Sequence, residues 1–219
     1  MDKRATVKIC GLRSVEDIQM CIRHGADIVG FVTEYPHPVP WNLSVAEAKE
    51  LLKAANGAKT AVVTGGEVAY ALRIAEQLRP DYLQYHHAAT AKQVRKLAEG
   101  LHSLGVQLIQ VVSAHAGDIA QIAQKYYSAG AHILLLDSRN ADGSSEGGVD
   151  FSNWDVLRVA TDLPLMLAGG ITPDNVAEIL HRSQAYMIDL MSGVESTAGV
   201  KDEAKIIALF QEIIKGHSG

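Results

Sequence analysis

Cysteine is nearly absent: two residues in 219, so there is no disulfide framework to find. Cys10 and Cys21 also lack the spacing of a zinc site, and a reducing cytoplasm is the simplest address. Long basic runs are missing, and the formal net charge is -5, which argues against nucleic acid as the main partner. No apolar stretch approaches the ~18 residues that a membrane span requires. Met1-Asp-Lys-Arg-Ala is followed by no signal-type hydrophobic region, so no membrane partner is expected. Pro/Ser-rich linkers, low-complexity tracts and charge blocks are absent too, and residues 1–219 are expected to form a single domain.

What is present is apolar and periodic. The chain is 47% hydrophobic, enough for one substantial core and close to the usual size of a single α/β barrel. Short, continuously apolar runs at Thr6–Cys10, Asp27–Thr33, Thr60–Thr64, Tyr82–Tyr85, Val106–Val112, Ile133–Leu136, Leu165–Ala168 and Tyr186–Leu190 read as strands covered on both faces. Helical stripes lie between them, among them Val15/Ile18/Cys21/Ile22, Val94/Leu97/Leu101/Leu104, Trp154/Val156/Leu157 and Val176/Ile179/Leu180. Strand then helix repeats eight times, with strand starts roughly 20 to 32 residues apart, as in βα units. An open doubly wound sheet competes with a closed (β/α)8 TIM barrel. The count of eight, the modest length and the lack of GxGxxG after the first strand favour the barrel.

In a barrel the loops after the strands build the site. Thr33–Leu43, with three prolines and Trp41, and Ser138–Asp150 are the two long ones, and either can serve as a lid. Near the end of the chain two strand runs break abruptly, at Gly169-Gly170 and at Ser192-Gly193. Thr172 reads as a helix N-cap, with Pro173 as the first helical residue. Backbone N–H groups and a helix dipole at two adjacent strand ends suit a phosphate, so these glycines and Ser192 are the expected phosphate-binding residues.

Cys10 ends the first strand, where it is either a base once deprotonated or a small buried hydrophobe. Lys8 points the same way and can favour the thiolate or a ligand phosphate. Asp137 ends the run Ile133-Leu-Leu-Leu-Asp; an acid there is costly unless it is paired or used. Asp189 lies inside a buried run and reads as structural. Lys8 on the first strand, Gln84 and His86 at the fourth strand end, Arg13 beyond the first, and Trp41 are expected to touch substrate. His86, His87 and His115 lack companions at metal-ligand spacing, so no metal is expected.

The residues Lys8-Ile-Cys-Gly-Leu12, Gly25-Ala-Asp27, Gly30-Phe31, Leu83-Gln84 with His86, Leu135-Leu-Asp-Ser138, Leu167-Ala-Gly-Gly-Ile-Thr-Pro-Asp-Asn-Val176, Ser192-Gly-Val-Glu195 and Gly199-Val-Lys-Asp202 occur in one order along the whole chain. In this the chain resembles the phosphoribosylanthranilate isomerases, (β/α)8 enzymes of tryptophan biosynthesis. The resemblance implies an aldose–ketose isomerase: an Amadori rearrangement of an N-linked aminoaldose phosphate to a 1-amino-1-deoxyketose phosphate. It places the base that takes the C2 proton on Cys10, and the acid that protonates the furanose ring oxygen on Asp137. Such acid–base chemistry needs no cofactor. The partner is a phosphorylated sugar, and the family includes monomers and homodimers.

Several positions depart from the family pattern. Its Ser-Pro-Arg after the second strand is Val39-Pro40-Trp41 here, its histidine-glycine is His86-His87, and a paired serine becomes Met191-Ser192. The Gly-Gly-Thr-Gly segment is matched only loosely by Gly147-Gly-Val-Asp150. Two alternatives therefore stand beside the isomerase: a related barrel isomerase acting on a different aminosugar phosphate, and a non-catalytic phosphosugar-binding protein.

Overall fold

The computed structural model describes residues 4–138 and 151–216. Strand and helix alternate as β1 (Thr6–Ile9), α1 (Val15–His24), β2 (Ile28–Val32), α2 (Val45–Leu52), β3 (Lys59–Thr64), α3 (Val68–Leu78), β4 (Tyr82–Tyr85) and α4 (Ala91–Ser103). The second half continues with β5 (Gln107–Ser113), α5 (Ile119–Ser128), β6 (Ile133–Asp137), α6 (Phe151–Ala160), β7 (Leu165–Ala168), α7 (Val176–Ser183), β8 (Met187–Leu190) and α8 (Glu203–Gly216). Neighbouring strands pair in parallel in chain order, and β8 returns to β1 with Lys8 opposite Asp189, which closes the sheet. The fold is the (β/α)8 barrel that the alternation favours, not the open sheet.

Side-chain alternation along each strand separates two cores. Val7, Ile9, Val29, Phe31 and Leu134 face the helices, where they meet Ile18, Ile74, Leu97, Trp154 and Ile206. Ile28, Ala61, Ile109, Ile133, Leu135 and Met166 fill the barrel interior. Above that plug, Cys10, Val32 and Val63 form a third apolar group with Tyr35, Val39, Trp41 and Met191 from the loops.

Local chemistry explains where the helices start. Ser14 caps α1 by accepting from the Asp17 N–H, and Gly25 ends it in the left-handed conformation at φ 115°. Ser44 with Glu47, and Thr90 with Gln93, form reciprocal capping boxes on α2 and α4.

Three features differ from the sequence expectation. First, α7 begins at Val176 with Asn175 as its N-cap, so Thr172 and Pro173 are not its cap and first residue. The Asn175 side chain accepts from the Thr172 N–H and donates to the Gly170 carbonyl, both at 2.8 Å. That closed turn holds residues 173–175 outside the helix. Second, Trp154 and Leu157 are buried but Val156 is exposed, because it lies two residues from Trp154 and so on the other side of α6. Third, between β8 and α8 lie a 3-10 turn at Ser192–Val194 and a hairpin of β9 (Glu195–Thr197) with β10 (Val200–Lys201), too short to leave a periodic signal. Of the expected Ser138–Asp150 loop only Ser138 falls within the described residues; Gly147, Gly148 and Asp150 lie outside them. No helix of the described residues is long and apolar enough to cross a membrane.

Candidate active site

β1 ends at Ile9, so Cys10 is the first residue beyond it and shares the inward face of Lys8. Its N–H donates to the Leu190 carbonyl of β8 at 2.8 Å. The thiol is buried, which pushes its pKa above the ordinary value, while the Lys8 cation beside it pulls the other way. Lys8 is itself fully buried, and its Nζ donates to Asp189 Oδ2 at 2.8 Å across the β1–β8 seam. Burial drags the ammonium down, but Asp189 and Cys10 outweigh it, so Lys8 ends above its usual value. Asp189 is thus the counter-ion of Lys8. Gly30 on β2 leaves the space they need: a Cβ there would lie 3.0 Å from Cys10 Sγ and 3.1 Å from Lys8 Cε.

Asp137 closes β6 two residues after Leu135, which is inside the barrel, so it faces the same way. It is 5% exposed, and its Oδ2 lies 3.6 Å from Nε2 of His86. His86 follows β4, anchored by its N–H to the Thr64 carbonyl at 2.8 Å, and its Nδ1 lies 3.2 Å from the Tyr35 hydroxyl. Gln84 sits one layer lower, buried, with no partner for its Oε1 among the described residues. His87 is exposed and uses its carbonyl to accept from Gln110 Nε2 at 3.2 Å. His115 is also exposed. Among the described residues no group of three or more His, Cys, Asp or Glu side chains is placed to hold a metal.

Trp41 is half-buried in the apolar group that includes Cys10. The loop that carries it is tied at its base: Thr33 bridges Leu43, and the Glu34 N–H donates to the Leu43 carbonyl at 2.8 Å. Arg13 is exposed and packs on the turn of the β9–β10 hairpin, its Cδ 3.1 Å from where a Gly199 Cβ would stand.

The two glycine-bearing loops meet. Gly169 and Gly170 adopt φ of 96° and 67°, a region that glycine enters without strain. Gly193 presses on the β7 loop so closely that a Cβ would stand 1.9 Å from the Ile171 carbonyl oxygen. Ser192 is exposed at the start of the 3-10 turn. Behind that turn, buried Lys201 donates to Glu195 Oε1 at 2.7 Å and to the Met191 carbonyl at 3.3 Å. Lys205 Nζ holds the Glu195 carbonyl at 2.6 Å. The segment 191–195 is therefore clamped from below while its other side faces the β7 loop.

One barrel end thus gathers a buried thiol over a buried cation, a buried carboxyl beside an imidazole, and two backbone-rich loops in contact. Such a set can move protons at two atoms of an anchored anionic ligand. Reading the residues one by one misses Tyr35 and the Lys201–Glu195 clamp, whose partners declare themselves only in three dimensions. Gly30 does leave a sign, since a lone glycine within an apolar strand marks a close approach.

Over residues 7–212 the chain matches the family model described as N-(5'phosphoribosyl)anthranilate (PRA) isomerase. It is 36% identical, over 211 residues and 94% of each chain, to the N-(5'-phosphoribosyl)anthranilate isomerase of Rhodopseudomonas palustris (strain BisB18). The crystal structure of phosphoribosyl anthranilate isomerase from Thermus thermophilus is similar with a TM-score of 0.81 at 27% identity, over 96% of this chain and 98% of that one. A phosphoribosyl anthranilate isomerase crystallised with reduced 1-(o-carboxyphenylamino)-1-deoxyribulose 5-phosphate is similar with a TM-score of 0.80 at 25% identity, over 96% and 99% of the two chains.

Proposed function

This chain belongs to the N-(5'-phosphoribosyl)anthranilate isomerase family, and on that premise we propose that it converts N-(5'-phosphoribosyl)anthranilate to 1-(o-carboxyphenylamino)-1-deoxyribulose 5-phosphate by acid–base catalysis. Asp137 gives its proton to the furanose ring oxygen. The C1–O bond breaks as the nitrogen lone pair forms C1=N, and the ring opens to a protonated Schiff base. The Cys10 thiolate then takes the C2 proton; the C2–H electrons form C1=C2 and the C=N pair returns to nitrogen. The resulting enol tautomerises, C1 gaining a proton and the C2 hydroxyl losing one.

The observation that carries this reading is the pair of buried groups, a thiol after β1 and a carboxyl closing β6, at the same end of one barrel. Lys8 supports it, because its cation favours the thiolate that burial opposes. The phosphate of the substrate is assigned to Gly169, Gly170, Ser192 and Gly193, and substrate contacts to Lys8, Trp41, His86, Gln84 and Arg13. Residues 1–219 are taken as one barrel domain.

One observation favours a second reading, an isomerase for a different aminosugar phosphate. Trp41 stands in the apolar group with Cys10, Val39 and Met191 where the family pattern carries an arginine. Turnover of freshly made phosphoribosylanthranilate, followed by the loss of its fluorescence, separates the two. Steady turnover by the parent chain, lowered about 100-fold or more in Cys10→Ser and in Asp137→Asn, is the expected result. A folded parent chain that turns over no faster than these variants overturns the first reading and leaves the second.

A further inference from the structure

The loop after β2 is built to present one phenol. Glu34, the first residue of the loop beyond the bridge at Thr33, has φ 44°, a conformation that costs a non-glycine residue energy unless its surroundings hold it. Its surroundings do: the Tyr70 hydroxyl donates to Glu34 Oε2. Asn42 then grips Tyr35 from across the loop, accepting from its N–H at 2.9 Å and donating to its carbonyl at 3.0 Å. So held, the Tyr35 ring lies tilted against His86 with centroids 5.7 Å apart, and its hydroxyl reaches Nδ1 at 3.2 Å.

A neutral imidazole carries one proton, and the nitrogen without it accepts. A phenol that donates to Nδ1 leaves the proton on Nε2, and Nε2 is the atom 3.6 Å from Asp137 Oδ2. Turned that way, the Nε2–H meets a carboxyl oxygen that can accept it whether or not Asp137 still carries its own proton.

We propose that Tyr35 is a positioning residue for the acid side of the site: its hydroxyl holds His86 as the Nε2–H tautomer with that proton turned toward Asp137. The role rests on Asp137 being the acid of the proposed reaction. When Asp137 has passed its proton to the ring oxygen, the Nε2–H faces the new carboxylate and stabilises it. Tyr35 acts through the imidazole and needs no contact with substrate.

The test pairs nitrogen NMR of histidine-labelled protein with kinetics, on the parent chain, Tyr35→Phe and Asn42→Ala, with His86→Gln to assign the signals. Tyr35→Phe keeps the ring and removes only the hydroxyl; Asn42→Ala frees Tyr35 from the backbone without altering His86. In the parent, His86 is expected to show an unprotonated Nδ1 near neutral pH, and in both variants a mixture of tautomers. The kcat of Tyr35→Phe is expected to fall about tenfold while KM stays within about twofold. An Nδ1–H tautomer in the parent, an unchanged tautomer in Tyr35→Phe, or a rise in KM alone would each overturn the proposal. A parent chain that turns over no substrate overturns the isomerase reading instead, and the nitrogen spectra still decide the tautomer.

Discussion

Removing Lys8 alone should damage the protein far more than removing Lys8 together with its partner. Lys8 is fully buried and Asp189 is 8% exposed, with their charged atoms 2.8 Å apart. Asp189 Oδ1 already lacks a hydrogen-bond partner among the described residues, so nothing in reserve can take over when the ammonium goes. Lys8→Met keeps much of the packed volume but leaves a buried carboxyl without its cation, at an expected cost of about 3–5 kcal/mol. For a chain of this size each kcal/mol moves Tm by roughly 2–4 °C, so Lys8→Met should melt about 6–20 °C below the parent. The double variant, Lys8→Met with Asp189→Leu, replaces both charges with apolar groups and should lie within about 2 kcal/mol of the parent, or above it. Thermal melts and urea titrations at neutral pH on the two single variants, the double and the parent complete the cycle. A double variant as unstable as the sum of the singles, with a coupling under about 0.5 kcal/mol, would refute the reasoning, since it would mean the two groups do not sense each other.

Cys10 supplies a pH prediction. A base must lose its proton to act, and burial raises this thiol, so kcat/KM should climb with pH along a limb lying above the ordinary thiol value of ~8.5. Lys8→Met should move that limb higher still, as read from rate–pH profiles. Cys21, pushed up to about 12 by burial, acts on stability. The unfolded thiol ionises near ~8.5, so between these values the folded chain binds more protons and stability falls as pH rises, by up to ~1.4 kcal/mol per pH unit from this group. Cys21→Ala should be less stable than the parent at neutral pH yet lose less on going from pH ~9 to ~11, measured by urea midpoints. Gly193→Ala would place a methyl 1.9 Å from the Ile171 carbonyl oxygen, so the two loops must part; inorganic phosphate binding, read by titration calorimetry, should weaken about tenfold or more. Gly30→Ala crowds Cys10 and Lys8 and should cost about 1–3 kcal/mol in chemical denaturation together with much of kcat.

Much of the architecture was open to reading from the chain. Continuous apolar runs such as Ile133-Leu-Leu-Leu mark strands covered on both faces, because a strand with one wet face would alternate. Their number and spacing select the barrel, and a barrel places the residues that follow its strands in one cluster. That is why Cys10 and Asp137 could be singled out together, although 127 positions of chain separate them. The helix after β7 is a counterexample: Thr172-Pro173 carries a good start signal, yet the Asn175 side chain closes a turn that the pattern does not reveal.

The sequence by itself determined the periodicity, the strand ends and the chemistry available at each, because these depend on neighbours within a few residues. It also determined the family, through motifs spread in order over the whole length. Only the tertiary structure decided the partners. Lys8 meets Asp189, 181 residues away, because barrel closure sets β8 beside β1 in one register. Tyr35 meets His86, 51 residues on, where the loop after β2, tied to Tyr35 by Asn42, lies beside the end of β4. Gly30 has to be small because of the Cys10 and Lys8 side chains packed over it from β1. Pairings of this kind follow from strand register and closure, which local propensity does not encode.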